Sequence, residues 1–270
     1  MAELKNYLEK VIDFTRQAGR ETLKYYRNDY SVQKKTDNSP VTEADLASEE
    51  ILLSGLRTTE PGIISEETGL VPGSTDNKYW IVDPLDGTQD FIDQTGEFSI
   101  MVGLLDEGTP RMGVVFAPAK EKLWFAIENE GAYLVENGTK TRIQVAGKNN
   151  LANYVLIASR NHFSSRDEAI ARQMGVKDIT RMGSLGIKFC ATGEGQADLV
   201  YYTTDRLGIW DCCAPQVILK EAGGEVFDLR GKKLFYDLYR RRMTDGIVGI
   251  GGNNRGEVLD ILDSNLSESD

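Results

Sequence analysis

The sequence predicts an α/β protein in which an α+β half precedes an α/β half. Three observations carry that expectation. Apolar residues recur at helical spacing near the start, strand-like segments with short turns fill about 63–145, and strands alternate with helices from about 150 onward. The two halves are placed at residues 1–147, carrying most of the acidic candidates below, and 148–270.

Leu4, Leu8, Val11, Phe14, Ala18 and Tyr25 fall on one face of a long amphipathic helix over about 3–27. YSVQKK reads as extended, and Pro40 in TDNSPVTEAD pins a turn before a second helix over about 42–57. Thr42-x-x-Asp45 has the form of a capping box, with Asp in place of the usual Glu or Gln. GIISEE, KYWIVD, FSIMVGLLD, MGVVFAP, LWFAIE, AYLVE and TRIQV read as consecutive strands, and their short turns imply an antiparallel sheet. The second half reads as YVLIAS, a helix near 165–174, DITRM, a helix near 184–193 and ADLVYY. A helix from Trp210 to Ala222, strands GGEVFDL and GIVGIG, and a last helix from Arg255 to about Leu262 complete it. GIGGNN lacks the lysine and spacing of the common nucleotide fingerprints and reads as a tight turn, and RRRM at 240–243 as an exposed loop.

With 270 residues, 40% apolar and 27% charged, the chain has the composition of a globular protein with ample core. A net charge of −11 argues against a nucleic-acid polymer as partner, because phosphate neutralisation needs a basic face. A small phosphorylated substrate remains compatible, provided a divalent cation screens the carboxylates. No run approaches the roughly 18–20 apolar residues of a membrane span, so no membrane partner is expected. MAELKNYLEKVIDF reads as a polar helix, not a signal peptide. Cys190, Cys212 and Cys213 form no disulfide framework and read as buried small hydrophobes, with the cytoplasm as the expected location. His162 is the only histidine, which removes any multi-histidine zinc site.

Four stretches set carboxylates beside turns or caps: Asp45; Glu66 and Glu67 in SEE; Asp83 and Asp86 in DPLDGT; and Asp211 in IWD. Oxygen-only ligands suit magnesium, calcium or manganese. Pro84 stops the strand, which lets the Leu85 carbonyl turn inward as a neutral ligand between two charged ones. A short helix starting at Gly87 and Thr88 would aim backbone N–H groups at an anion. In isolation DPLDG reads first as a plain surface turn. The apolar WIV before it and SEE upstream favour a buried charged site, which requires cations.

SPVTEAD, ISEE, WIVDPLDGTQDF and IWDCCAPQVILKEAGG, in this order and spacing, resemble the magnesium-dependent, lithium-sensitive phosphomonoesterases of the inositol monophosphatase superfamily, over roughly residues 5–255. The resemblance implies a layered αβαβα sandwich of the inositol monophosphatase / fructose-1,6-bisphosphatase type, two or three magnesium ions per site, and often a homodimer. It implies that Glu66, Asp83 and the Leu85 carbonyl hold one ion, and Asp83, Asp86 and Asp211 a second. Asp45 and Thr88 match the pair that orients or deprotonates the attacking water. Glu67 helps hold a looser third ion at the same catalytic centre, and Gly87 and Thr88 donate to the phosphate.

TGEFSIMVGLLDEG, ASRNH and GSLGIKFC resemble the 3'(2'),5'-bisphosphate nucleotidases within that superfamily. This implies that the protein removes the 3'-phosphate of adenosine 3',5'-bisphosphate in sulfate-assimilation clean-up. It also implies His162 near the base, and Ser184 and Lys188 facing the 5'-phosphate or ribose. Bland readings stand beside these: a satisfied surface histidine, and a solvated lysine. Arg206 has the geometry to clamp a second phosphate bidentately. YYTTDRLGIWD departs from the inositol monophosphatases, which carry a glutamate ahead of a shorter spacing. Inositol-1-monophosphatase, fructose-1,6-bisphosphatase, histidinol-phosphatase or broad sugar phosphatase activity are the alternatives. A non-catalytic binding module is disfavoured, since Asp45, Glu66, Asp83, Asp86, Thr88 and Asp211 are all present.

Overall fold

The computed structural model describes residues 2–35, 39–75, 77–204 and 207–266. Helix α1 (Ala2–Tyr25) leads through strands β1 (Val32–Lys34) and β2 (Pro40–Thr42) into α2 (Glu43–Leu56). Then come β3 (Gly62–Ser65), β4 (Gly69–Val71), β5 (Lys78–Asp86), α3 (Thr88–Ile92), β6 (Ser99–Asp106) and β7 (Thr109–Ala117). Strands β8 (Lys122–Ile127), β9 (Gly131–Glu136) and β10 (Thr139–Ile143) complete an eight-stranded sheet in the order β10-β9-β8-β7-β6-β5-β3-β4. β11 (Val155–Ser159), α4 (Ser165–Gln173), β12 (Asp178–Met182), α5 (Leu185–Gly193), β13 (Leu199–Tyr202) and α6 (Ile209–Glu221) follow. Strands β14 (Glu225–Phe227) and β15 (Ile247–Ile250) and helix α7 (Arg255–Leu266) end the chain, and the second sheet has the order β12-β11-β13-β15-β14.

Five layers result. One face of the large sheet buries Trp80, Val82, Val102 and Val114 against Tyr7 and Val11 of α1 and Leu52 and Leu56 of α2. Its other face packs on α5 and α6, through Met101, Val115 and Trp124 against Ile187, Ala214 and Ile218. The same two helices cover the small sheet, where Phe189 and Leu219 meet Val200 and Ile247. Helices α4 and α7 close the far side, with Ile170, Val258 and Leu262 against Leu156 and Val248. Each fully buried aliphatic or aromatic side chain contributes about 1.5–3 kcal/mol. This is the αβαβα sandwich that the motifs imply.

Two glycines fix how closely the central layer approaches. Gly103 and Gly113 are cross-strand partners on β6 and β7. A Cβ on Gly113 would lie 2.2 Å from the Ala214 carbonyl oxygen, and one on Gly103 2.6 Å from Cys213 Sγ. Helix α6 therefore rests directly on the sheet backbone, and it carries Asp211 in its first turn.

The predicted all-antiparallel sheet holds except at one place: β3 and β5 are parallel. The chain leaves β3 through the β4 hairpin at the sheet edge and returns to enter β5 in the same direction, a step that hydrophobic alternation does not encode.

Candidate metal centre and phosphate seat

In a regular strand, residues three apart point to opposite faces. Asp83 and Asp86 on β5 do not obey this, because the ladder to β6 slips between them. Asp83 pairs with Met101 and Asp86 with Ser99, so three steps on β5 oppose two on β6. That bulge lies at Pro84, whose ring removes a ladder donor. The extra residue turns both carboxylates to one side, where Asp211 meets them from α6. Oxygens of Asp83, Asp86 and Asp211 all lie within 4.8 Å of one another.

Each carboxylate is oriented by donors. The Leu85 N–H donates to Asp83 Oδ1 at 3.0 Å, and the Gly208 N–H to Asp211 Oδ2 at 2.6 Å. Asp86 Oδ2 accepts from the Ser184 hydroxyl at 2.5 Å and from the Gly186 N–H at 2.9 Å. Burial, and then the neighbouring acidic charges, push Asp83 and Asp211 well above the usual carboxylate range. The remedy such a cluster admits is a cation. An all-oxygen donor set of three clustered carboxylates fits a hard divalent ion.

Glu66 and Glu67 border the cluster. Lys35 Nζ donates to Glu66 Oε1 at 2.7 Å and Glu67 Oε1 at 2.5 Å. Burial, then the Glu66 charge, lift Glu67 to about 7. Burial alone would lower Lys35, but the two glutamates hold it above an ordinary lysine. Nothing in the sequence marks Lys35: it stands on an ordinary extended stretch, and only the fold brings it to acids 31 and 32 positions away.

Asp45 and Thr88 lie side by side. Thr88 Oγ1 is 3.1 Å from Asp45 Oδ1 and 3.2 Å from the Leu85 carbonyl oxygen. Asp45 caps its own helix, accepting the Thr42 N–H at 2.7 Å and the Thr42 hydroxyl at 2.6 Å, as the capping-box reading anticipates. Burial raises its proton affinity, which these hydrogen bonds oppose. Gly87 adopts φ +90°, and a Cβ there would press to 3.0 Å from the Glu97 carbonyl oxygen. Its lack of a side chain lets the chain turn sharply from β5 into α3.

Two expected substrate contacts need correction. Lys188 is 1% exposed, and its ammonium donates to the carbonyls of Gly183 (2.7 Å) and Met182 (3.2 Å). Burial lowers it to about 8, against the pull of Asp86 and Asp90. The Ser184 hydroxyl is likewise buried, donating to Asp86 and lying 2.9 Å from Ser99 Oγ. Both side chains act from behind the site. A small polar residue and a lysine on a predicted helix do not reveal in sequence which way they point. Arg206 lies outside the described residues. His162 is exposed on the turn after β11, beside a small recess lined by Ser159, Phe163, Tyr202, Thr203 and Thr204.

Sequence reasoning also passed over Asp90 and Arg160. Asp90, buried on α3, accepts Arg160 Nε at 2.9 Å and the Thr95 hydroxyl at 3.0 Å, while Arg160 also pairs with Glu97. The turn after β11 is thereby tied to the phosphate seat. Nothing in ASRNH or in DGTQDF marks the other as its partner.

Residues 3–256 match the model of the inositol monophosphatase family. The 3'(2'),5'-bisphosphate nucleotidase CysQ of Escherichia coli (strain K12) is 37% identical over 235 residues, covering 85% of this chain and 93% of the relative. An inositol monophosphatase of Mesembryanthemum crystallinum is 33% identical over 241 residues, covering 85% and 87%. The solved CysQ of Bacteroides thetaiotaomicron superposes with a TM-score of 0.75 at 29% identity, over 91% of this chain and 97% of that one. The Thermotoga maritima IMPase superposes at 0.83 and 27% identity, over 97% and 99%.

Proposed function

The chain belongs to the inositol monophosphatase family, and from that premise we propose that it is a magnesium-dependent 3'(2'),5'-bisphosphate nucleotidase acting on adenosine 3',5'-bisphosphate. The observation that carries this reading is the placement of the Asp83–Asp86–Asp211 cluster beside the Asp45–Thr88 pair, in a chain 37% identical to a 3'(2'),5'-bisphosphate nucleotidase. Glu66, Asp83 and the Leu85 carbonyl would hold one ion, and Asp83, Asp86 and Asp211 a second, with Glu67 helping to hold a looser third. Magnesium, when bound, supplies the positive charge that screens the phosphoryl oxygens and acidifies the attacking water.

The chain's own groups do the rest. Asp45, reached directly or through the Thr88 hydroxyl, takes the water's proton. The Gly87 and Thr88 N–H groups seat the phosphate against the turn. Water oxygen bonds to phosphorus as the bond to the ribose 3'-oxygen breaks, and that oxygen gains a proton. The products are inorganic phosphate and adenosine 5'-phosphate. His162 contacts the base from its exposed turn. The reading includes a small phosphorylated substrate met in the cytoplasm and a homodimeric assembly. Among the described residues no helix is long and apolar enough to cross a membrane.

Product analysis tests the reading. Incubation of adenosine 3',5'-bisphosphate with protein and magnesium should give adenosine 5'-phosphate and one phosphate, inhibited by lithium. Release of the 5'-phosphate, or no release, would refute it.

A further inference from the structure

Helix α2 carries more of the metal centre than Asp45. Asp45, Ser48 and Glu49 stand at i, i+3 and i+4, so their side chains share one face, and all three are buried. One turn on, the buried positions are Leu52, Leu53 and Leu56, the residues expected of a helix packed on a sheet. Buried polar groups are costly unless each is satisfied. Here each is satisfied by a different segment of the site. Asp45 accepts from the Thr88 hydroxyl at the phosphate seat. The Ser48 hydroxyl donates to the Pro84 carbonyl at 2.7 Å. Glu49 takes Thr68 with both oxygens, Oε1 accepting the N–H at 2.9 Å and Oε2 the hydroxyl at 2.7 Å.

The peptide unit joining Pro84 to Leu85 is planar and trans, so its C=O and N–H point in opposite directions. Ser48 holds the C=O, and the N–H donates to Asp83 Oδ1 at 3.0 Å. Rotation of this unit would carry the Asp83 carboxylate with it, and Ser48 fixes that rotation from outside the cluster. Thr68 closes the turn between β3 and β4 that holds Glu66 and Glu67. The Glu66 N–H donates to the Val82 carbonyl at 3.2 Å, which ties the start of this turn to β5, and Glu49 ties its end to α2. We infer that Ser48 and Glu49 are positioning residues for magnesium, Ser48 acting through Asp83 and Glu49 through the Glu66–Glu67 turn. Together they set where these two ligand-bearing segments stand relative to Asp45 on the same helix. The inference rests on the metal-centre part of the reading above and adds the element that holds its segments in register.

The test is titration calorimetry of magnesium into the full chain, with thermal unfolding in chelator measured beside it. Ser48→Ala and Glu49→Gln should each weaken magnesium affinity roughly 10-fold, as loss of a group that orients a metal ligand does. The magnesium concentration giving half-maximal turnover should rise by the same factor. Turnover at saturating magnesium should stay near wild type, because every ligand and Asp45 are retained. Leu53→Ala, on the same helix but packed in the core, should lower the Tm in chelator and leave magnesium affinity unaltered. An unaltered affinity in Ser48→Ala or Glu49→Gln, whatever its Tm, would make that residue a structural tie only and overturn its assignment. An equal loss of affinity in Leu53→Ala would overturn both assignments, since loosening the helix would then suffice. A wild-type protein with no measurable magnesium binding would overturn the inference and the metal-centre reading together.

Discussion

Asp83→Asn removes one charge from the centre while keeping the shape of the side chain and an oxygen to accept the Leu85 N–H. The carboxylate oxygens of Asp83, Asp86 and Asp211 lie within 4.8 Å of one another. At an effective dielectric of about 20, a pair of charges at that separation repels by about 3.5 kcal/mol. A carboxyl that binds a proton escapes part of this, and the raised proton affinities of Asp83 and Asp211 show that escape. The net relief in Asp83→Asn is therefore about 1–3 kcal/mol, or about 2–10 °C in Tm for a chain of this size. Wild type, in turn, gains about 2.7 kcal/mol from magnesium at a hundredfold excess over Kd. Thermal unfolding of both proteins in chelator and in magnesium separates the terms. The variant should melt higher than wild type in chelator, respond little to magnesium, and show no phosphatase turnover. A variant that melts lower in chelator, or gains as much from magnesium as wild type, would refute the view that Asp83 is a repelled metal ligand.

Three further outcomes follow from the same geometry. Burial and the neighbouring charges raise the proton affinity of Asp83 and Asp211 in the folded protein above that of the unfolded chain. Relative to Asp83→Asn, wild type in chelator should therefore gain stability as pH falls toward the ordinary carboxylate range, and the magnesium-induced rise in Tm should shrink in the same direction; a difference that does not vary with pH would contradict it. Ser184→Ala removes the hydroxyl that orients Asp86, and titration calorimetry should show magnesium affinity weakened roughly 10- to 100-fold. An unaltered affinity would restore Ser184 to direct substrate contact. Gly113→Ala drives a Cβ into the Ala214 backbone, and denaturant unfolding should show a loss of about 1–3 kcal/mol.

The layer order and the acidic set were legible because both follow from local rules. Period 3.6 in α1, the capping box at Thr42 and Asp45, and the strand-ending DPLDGT each declare themselves within a few residues. What the motifs could not show is direction. The bulge at Pro84 that brings Asp83 and Asp86 to one side depends on the β6 partner, and the parallel β3–β5 pair depends on where β4 sits. Lys35 and Arg160 are ordinary in sequence and acquire partners only across 31 to 70 positions of chain. Ser184 and Lys188 fell where the motif placed them, yet their side chains turn inward to Asp86 and to backbone carbonyls. Orientation of a side chain is set by packing around it, which motif spacing does not contain.

Substrate class is decided by kcat/KM with magnesium for adenosine 3',5'-bisphosphate, inositol 1-phosphate and fructose 1,6-bisphosphate under identical conditions. A strong preference for the nucleotide is the predicted result. Preference for inositol 1-phosphate would keep the metal centre and contradict the nucleotidase, and no hydrolysis of any of the three would contradict the enzyme.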